Sequence, residues 1–125
     1  MIERARNRVL VVEDDVLTLR PIATHLARSG FEVRTARQGE HALQISREFL
    51  PDLLLSEWVL GDELGGLEVA RKLAKRLPDL RLVFLSSSPA EKILREGRDL
   101  RIRAALTKPA SLQDILATVQ EALDE

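Results

Sequence analysis

The sequence predicts an α/β fold: a five-stranded parallel sheet in the order 2-1-3-4-5, with helices on both faces in a flavodoxin-like arrangement. Three observations predict it. Short apolar runs alternate with longer helix-periodic segments along the whole chain, the mark of α/β architecture. Residues 9–12, 53–55 and 82–85 are continuously apolar, as strands covered on both faces must be. The remaining two strands carry charge (Glu32 and Arg34; Arg101 and Arg103), which suits sheet edges. Right-handed crossovers place both charged strands outside in this order.

The elements follow in turn. Strand one, residues 9–12, runs at once into Glu13, Asp14 and Asp15. Val16, Leu19, Ile22 and Leu26 share a helical stripe closed by Gly30, since glycine suits the position just past a helix end. Pro21 either sets the helix start near Thr18 or bends its first turns. Alternation over 31–36 marks strand two. A helix over about 39–50 turns Ala42, Leu43, Ile45 and Phe49 inward and breaks at Pro51. Strand three ends in Ser56, Glu57 and Trp58. A loop with Gly61, Gly65 and Gly66 leads to a helix with Leu67, Ala70, Leu73 and Leu77 inside, stopped by Pro78. Strand four ends at Ser86. Ser88, Pro89 and Glu91 spell a capping box, opening a helix with Ile93 and Leu94 that loses its pattern near Gly97. Residues 102–106 read as a shorter fifth strand, ending at Thr107, Lys108 and Pro109. A second capping box, Ser111 to Asp114, opens a last helix with Leu112, Ile115, Leu116, Val119 and Leu123 inside.

Composition narrows the function. The 125 residues make a single domain, 1–125 with a core over about 8–123, and are too few for two. Lys+Arg 19 against Asp+Glu 20 gives a net charge of -1, with no overall field to draw the chain onto nucleic acid or an anionic membrane. Zero Cys excludes disulfides, thiolate metal sites and Cys nucleophiles. No apolar run is long enough to span a bilayer. The charged residues 1–8 do not read as a signal peptide, so the expected location is the cytoplasm.

The strands of a parallel sheet all end on one side. Glu13, Asp14, Glu57, Ser86 and Lys108 each follow a strand and converge there, at the reversal of strand order where ligands bind in open α/β sheets. An acidic residue after a strand is often only a helix cap or a solvated loop residue. Acids, a hydroxyl and an ammonium at four strand ends point instead to a phosphoryl-transfer corner with oxygen ligands suited to Mg²⁺.

These residues resemble a response-regulator receiver domain, the phosphorylated module of two-component signalling. The resemblance runs from about Arg8 to Leu123. It rests on residues 9–14, the A-R-Q-G-E-H-A-L of 36–43, residues 51–58, Gly66-Leu67-Glu68 and Leu106-Thr107-Lys108-Pro109. It implies that Glu13 and Asp14 replace the acidic pair holding Mg²⁺, with Glu57 and the Val59 carbonyl as further metal ligands. Ser86 takes the place of the Ser/Thr that binds the phosphoryl group and moves on activation. Lys108 matches the site lysine, and Pro109 follows through a cis peptide bond. Expected partners are a histidine kinase or phosphotransfer protein, and an output domain or protein on the face of helix four, strand five and helix five. A homodimer fits the same face. No direct nucleic-acid binding is expected, and no enzyme activity beyond receiving a phosphoryl group.

The sequence departs from the family at the phosphoacceptor, where Glu57 stands in place of Asp. The additional methylene pushes the carboxylate outward by ~1.3 Å, and a ~1 Å misplacement costs on the order of 10²-fold in rate. The expectation is a pseudo-receiver, or a partial mimic of the phosphorylated state with about one charge where a phosphoryl group has nearer two. Ala105 replaces the aromatic residue whose rotation accompanies switching in many receivers, and the stretch 97–102 is longer than usual. His25 and His41 read as boundary and surface residues, Trp58 as packing or rim, and the arginines at 95, 98, 101 and 103 as a solvated face or a partner patch. A Mg²⁺-dependent phosphohydrolase is the alternative, but it requires an Asp nucleophile where Glu13 stands. An FMN binder requires a Ser/Thr phosphate loop where three acids stand. With no DNA-binding segment following, the chain reads as a stand-alone receiver or part of a larger regulator or hybrid kinase.

Overall fold

Strands and helices alternate strictly: β1 (Arg8–Val12), α1 (Val16–Arg28), β2 (Glu32–Ala36), α2 (Gly39–Phe49), β3 (Leu53–Ser56), α3 (Gly66–Arg76), β4 (Arg81–Ser86), α4 (Ala90–Glu96), β5 (Ile102–Thr107) and α5 (Leu112–Leu123). The computed structural model describes residues 7–61 and 63–124. The charged residues 1–6, Asp62 of the glycine-bearing loop and Glu125 lie outside the described residues.

All strand pairs are parallel and the order is β2-β1-β3-β4-β5, as the charge pattern predicts. Alternate side chains of each central strand face opposite sides. Leu10, Val12, Leu54, Leu82 and Phe84 pack against Ala42, Val69, Leu73 and Ile93 of α2, α3 and α4. Val9, Val11, Leu53, Leu55, Val83 and Leu85 pack against Leu19, Ile22, Ile115 and Val119 of α1 and α5. The sheet is therefore sealed on both faces, and chemistry is confined to its ends.

Local chemistry sets the helix ends. Asp15 caps α1, accepting from the Leu17 N–H at 3.2 Å, so the helix begins before Pro21 and includes it. Pro21 and Leu17 are both exposed, which leaves to water the carbonyl that the proline cannot bond. Gly30 takes φ 104, the left-handed region where glycine costs least. Ser111 accepts from the Asp114 N–H at 3.0 Å, as its capping box predicts.

Three expectations are corrected. The box at Ser88 does not form. Ser88 gives its N–H, the donor the box would use, to Ser86 Oγ at 3.1 Å, and Pro89 rather than Ser88 takes the N-cap position before Ala90, with no side-chain cap. The fifth strand is not short: it has 6 residues, as many as β4, because its ladder with β4 continues to Ser86 and Thr107. Leu112 is not inside. It opens α5 at the rim and is 36% exposed.

Gly66 tests the join between β3 and α3. Its N–H donates to the Trp58 carbonyl at 2.8 Å, and a Cβ there falls 2.2 Å from the Glu57 carbonyl oxygen. Backbone must move to accept it. A Gly66→Ala variant is expected to lose ~1–3 kcal/mol, the usual cost of overpacking, read as a lower urea midpoint at unchanged slope.

Candidate functional site

Main-chain bonds carry the ladder one residue past the strands and so fix the site backbone. Glu13 N–H donates to the Ala36 carbonyl (3.0 Å), Glu57 N–H to Val12 (2.9 Å) and Lys108 N–H to Ser86 (2.9 Å). Glu13, Glu57, Ser86 and Lys108 are thereby brought to one end of the sheet. The Lys108–Pro109 bond is cis, as the family resemblance implies.

The side chains form a closed network. Lys108 Nζ lies 2.6 Å from Glu13 Oε1 and 2.9 Å from Glu57 Oε1. Glu13 is 3% exposed, Glu57 7% and Ser86 1%. Charges so buried persist only when paired and hydrogen-bonded. Glu13 Oε2 accepts from the Asp15 N–H at 3.1 Å. Glu57 Oε2 accepts from its own Trp58 N–H and from the Val59 N–H at 2.9 Å. The buried Ser86 hydroxyl favours the ionised form of the Glu57 carboxylate.

The additional methylene of Glu57 therefore does not project outward. It lets the carboxylate curl back over its own main chain, where two N–H groups and an ammonium replace the solvent it loses. Trp58, next in the chain, is buried edge-on against Phe84 with ring centroids 5.1 Å apart, which settles it as packing. As the sole tryptophan it reports on residue 57.

Other acids are placed differently. Asp15 caps α1 and bonds the Thr18 hydroxyl at 2.8 Å. Asp14 is exposed, and Arg37 clasps its carbonyl through Nε (3.2 Å) and Nη2 (3.1 Å). Arg37 was not legible as a site residue, because nothing in its local sequence says that the β2–α2 turn lies over Asp14. The Trp58 and Val59 N–H groups are not legible in the sequence, because main chain carries no residue-type signal. Asp15 was legible in retrospect from Thr18 three residues on.

Electrostatics follow from burial and partners. Burial pushes the Glu57 carboxyl up, but Ser86, Lys108 and the Val59 N–H outweigh it and hold the group below the usual carboxylate range. Burial dominates at Glu13 and raises it despite Lys108. Burial lowers Lys108, yet its two carboxylate partners outweigh this and raise it. The stabilisation from Lys108 is therefore full below its ordinary value of 10.5 and is lost as pH climbs through its higher folded value. That from Glu57 is present above its ordinary value of 4.5 and is lost as pH falls through its lower folded value. Glu13, shifted the other way, opposes folding while ionised and blunts the acid loss. Urea midpoints measured against pH are expected to show an alkaline loss above 10.5 that Lys108→Met abolishes.

Oxygen donors of this kind suit Mg²⁺. Glu13 and Asp14 adjoin in the chain, Glu13 buried and Asp14 exposed, and Val59 belongs to the loop that follows Glu57. In the present arrangement the Lys108 ammonium stands between the Glu13 and Glu57 carboxylates. Among the described residues no three His, Cys, Asp or Glu side chains gather into a metal-holding group. The donors fit the ion in kind, and the lysine competes for two of them.

Comparison with known proteins covers nearly the whole chain. The family model described as the response regulator receiver domain matches residues 9–120. The transcriptional activator protein ExaE of Pseudomonas putida is 33% identical over 117 residues, 92% of this chain and 54% of its own. The alkaline phosphatase synthesis transcriptional regulatory protein PhoP of Bacillus subtilis is 31% identical over 119 residues, 94% of this chain and 48% of its own. The chain thus spans about half the length of these curated relatives. In fold it resembles a CheY-like receiver domain protein from Methanospirillum hungatei (TM-score 0.88, 24% identity, 95% of this chain and 94% of that one). It also resembles the N-terminal domain of a response regulator/sensory box/GGDEF protein from Carboxydothermus hydrogenoformans (TM-score 0.82, 28% identity, 94% of each chain).

Proposed function

The chain belongs to the response regulator receiver domain family of two-component signalling, and we propose that it is a pseudo-receiver whose Glu57 holds the switch without phosphorylation. Receivers are signalling modules rather than enzymes, and this one fits that class. One observation carries the reading: Lys108, which matches the family's site lysine, is already engaged by the Glu57 carboxylate at 2.9 Å.

The chemistry supports the same conclusion. To accept a phosphoryl group, a carboxylate oxygen must be free to attack in line. Oε2 of Glu57 is tied to two N–H groups and Oε1 to Lys108. Attack requires breaking charge-assisted bonds in a site largely closed to water, and those bonds are the strong kind. The carboxylate also supplies one anionic charge where a phosphoryl group supplies nearer two, so Glu57 imitates the phosphorylated state in part. Glu13, Asp14 and the Val59 carbonyl would hold Mg²⁺, which would supply neutralisation of acidic charge. Lys108 supplies that neutralisation from within the chain. The expected partners remain a histidine kinase or phosphotransfer protein and an output domain or protein on the α4–β5–α5 face.

Incubation with acetyl phosphate and Mg²⁺, followed by intact-mass spectrometry, tests this. The expected spectrum carries no phosphoryl group on residue 57. Near-complete modification at that residue overturns the proposal.

A further inference from the structure

Charge is unevenly distributed over the surface. The whole chain carries -1, yet two adjoining clefts of about 640 and 360 Å³, sharing Ala74, Asp99 and Leu100, hold six cations against two anions. The cations are Arg71, Lys72, Lys75, Arg81, Arg101 and Arg103; the anions are Asp79 and Asp99. These clefts lie by the amino-terminal ends of β4 and β5, at the pole of the sheet opposite Glu57.

Three features of the chain build this groove. The register of β4 and β5 slips so that Leu82 faces Ile102 and Val83 faces Ala104, leaving Arg103 as the additional residue of a bulge. Bulges re-aim side chains at sheet edges, and here Arg103 lines the larger cleft beside Leu82. Arg71 grips Asp99 through Nε (2.9 Å) and Nη2 (3.0 Å), tying α3 to the connection after α4 and neutralising one of the two anions. That connection is the long stretch at 97–101. Gly97 lets it pack close, since a Cβ there falls 2.6 Å from Ile102 Cδ1.

We propose that this groove docks an acidic, amphipathic segment of a partner protein. The exposed Lys72, Lys75 and Arg101 supply complementarity to carboxylates. The lining also includes Pro78 and Leu100, apolar surface over the buried Leu80 and Leu82 that takes side-chain anchors and that a phosphodiester backbone does not use. Among the described residues no aromatic side chain lines either cleft, so they offer none of the stacking on which single-stranded nucleic acid depends. Lying at the far pole from Glu57, the groove is a surface separate from the phosphoacceptor pocket.

The probe is a fluorescein-labelled peptide of roughly a dozen residues, rich in Glu with Leu at helical spacing, as groove-binding segments are. Fluorescence anisotropy with the full chain is expected to saturate at micromolar concentrations. Reversing the exposed Lys72 and Arg101 (Lys72→Glu with Arg101→Glu) is expected to weaken binding by ~10-fold or more, with circular dichroism confirming an unchanged fold. Replacing the peptide's Leu by Ser is expected to weaken it as well. Absence of saturation, binding indifferent to the charge reversal or to the Leu replacement, or tighter binding of a duplex oligonucleotide at the same residues overturns the proposal.

Discussion

A Glu57→Asp variant is expected to become a phosphoacceptor. Shortening the side chain by one methylene, ~1.3 Å of reach, removes the curl that brings Oε2 onto the Trp58 and Val59 N–H groups. It leaves a carboxylate at the end of β3 that Lys108 and Ser86 still flank. Misplacement by ~1 Å costs on the order of 10²-fold in rate, and the loss of competing hydrogen bonds adds to the gain. Mass spectrometry after acetyl phosphate and Mg²⁺ is expected to show one phosphoryl group on the variant and none on the parent. Trp58 fluorescence is expected to change with beryllofluoride in the variant alone, because the ring lies directly beyond residue 57 in the chain.

The second large effect is expected at Lys108. Lys108→Met keeps the apolar stem and removes the charge. Two carboxylates, Glu13 and Glu57, then remain buried at one site with no cation between them. Breaking a buried pair by removing one partner costs about 3–5 kcal/mol. Lys108 itself is partly exposed, so the lower end, ~3 kcal/mol, is the expected loss in urea denaturation. The loss is expected to shrink at acid pH, where Glu13, raised by burial, protonates first. Added Mg²⁺ is expected to restore part of the stability of the variant and to leave the parent nearly unchanged, since the ammonium no longer occupies the space between the two acids.

Much of this was legible in the residues. Strand order could be read from which strands carry charge, because an edge strand can keep Glu32 or Arg34 in water and a central one cannot. Glu13, Glu57, Ser86 and Lys108 could be placed together because parallel strands share an end. What could not be read was set by contacts between distant segments. The curl of Glu57 depends on main-chain N–H groups that every residue has. The clasp of Arg37 on Asp14 joins two turns 23 residues apart. The capping box at Ser88 gave way because Ser86, two residues earlier on β4, offered a competing acceptor. The bulge at Arg103 depends on how β5 is held against β4, which alternation within a single strand does not reveal.

The most direct test of the central claim, that one ammonium is shared by two buried carboxylates delivered from different strands, is a double-mutant cycle on Glu57→Gln and Lys108→Met. Stabilities of the parent, both single variants and the pair give the coupling between the positions. The structure predicts a coupling of at least ~1 kcal/mol, within the range for residues in one ion-pair network. Additivity within ~0.3–0.5 kcal/mol, the behaviour of distant and independent sites, contradicts it.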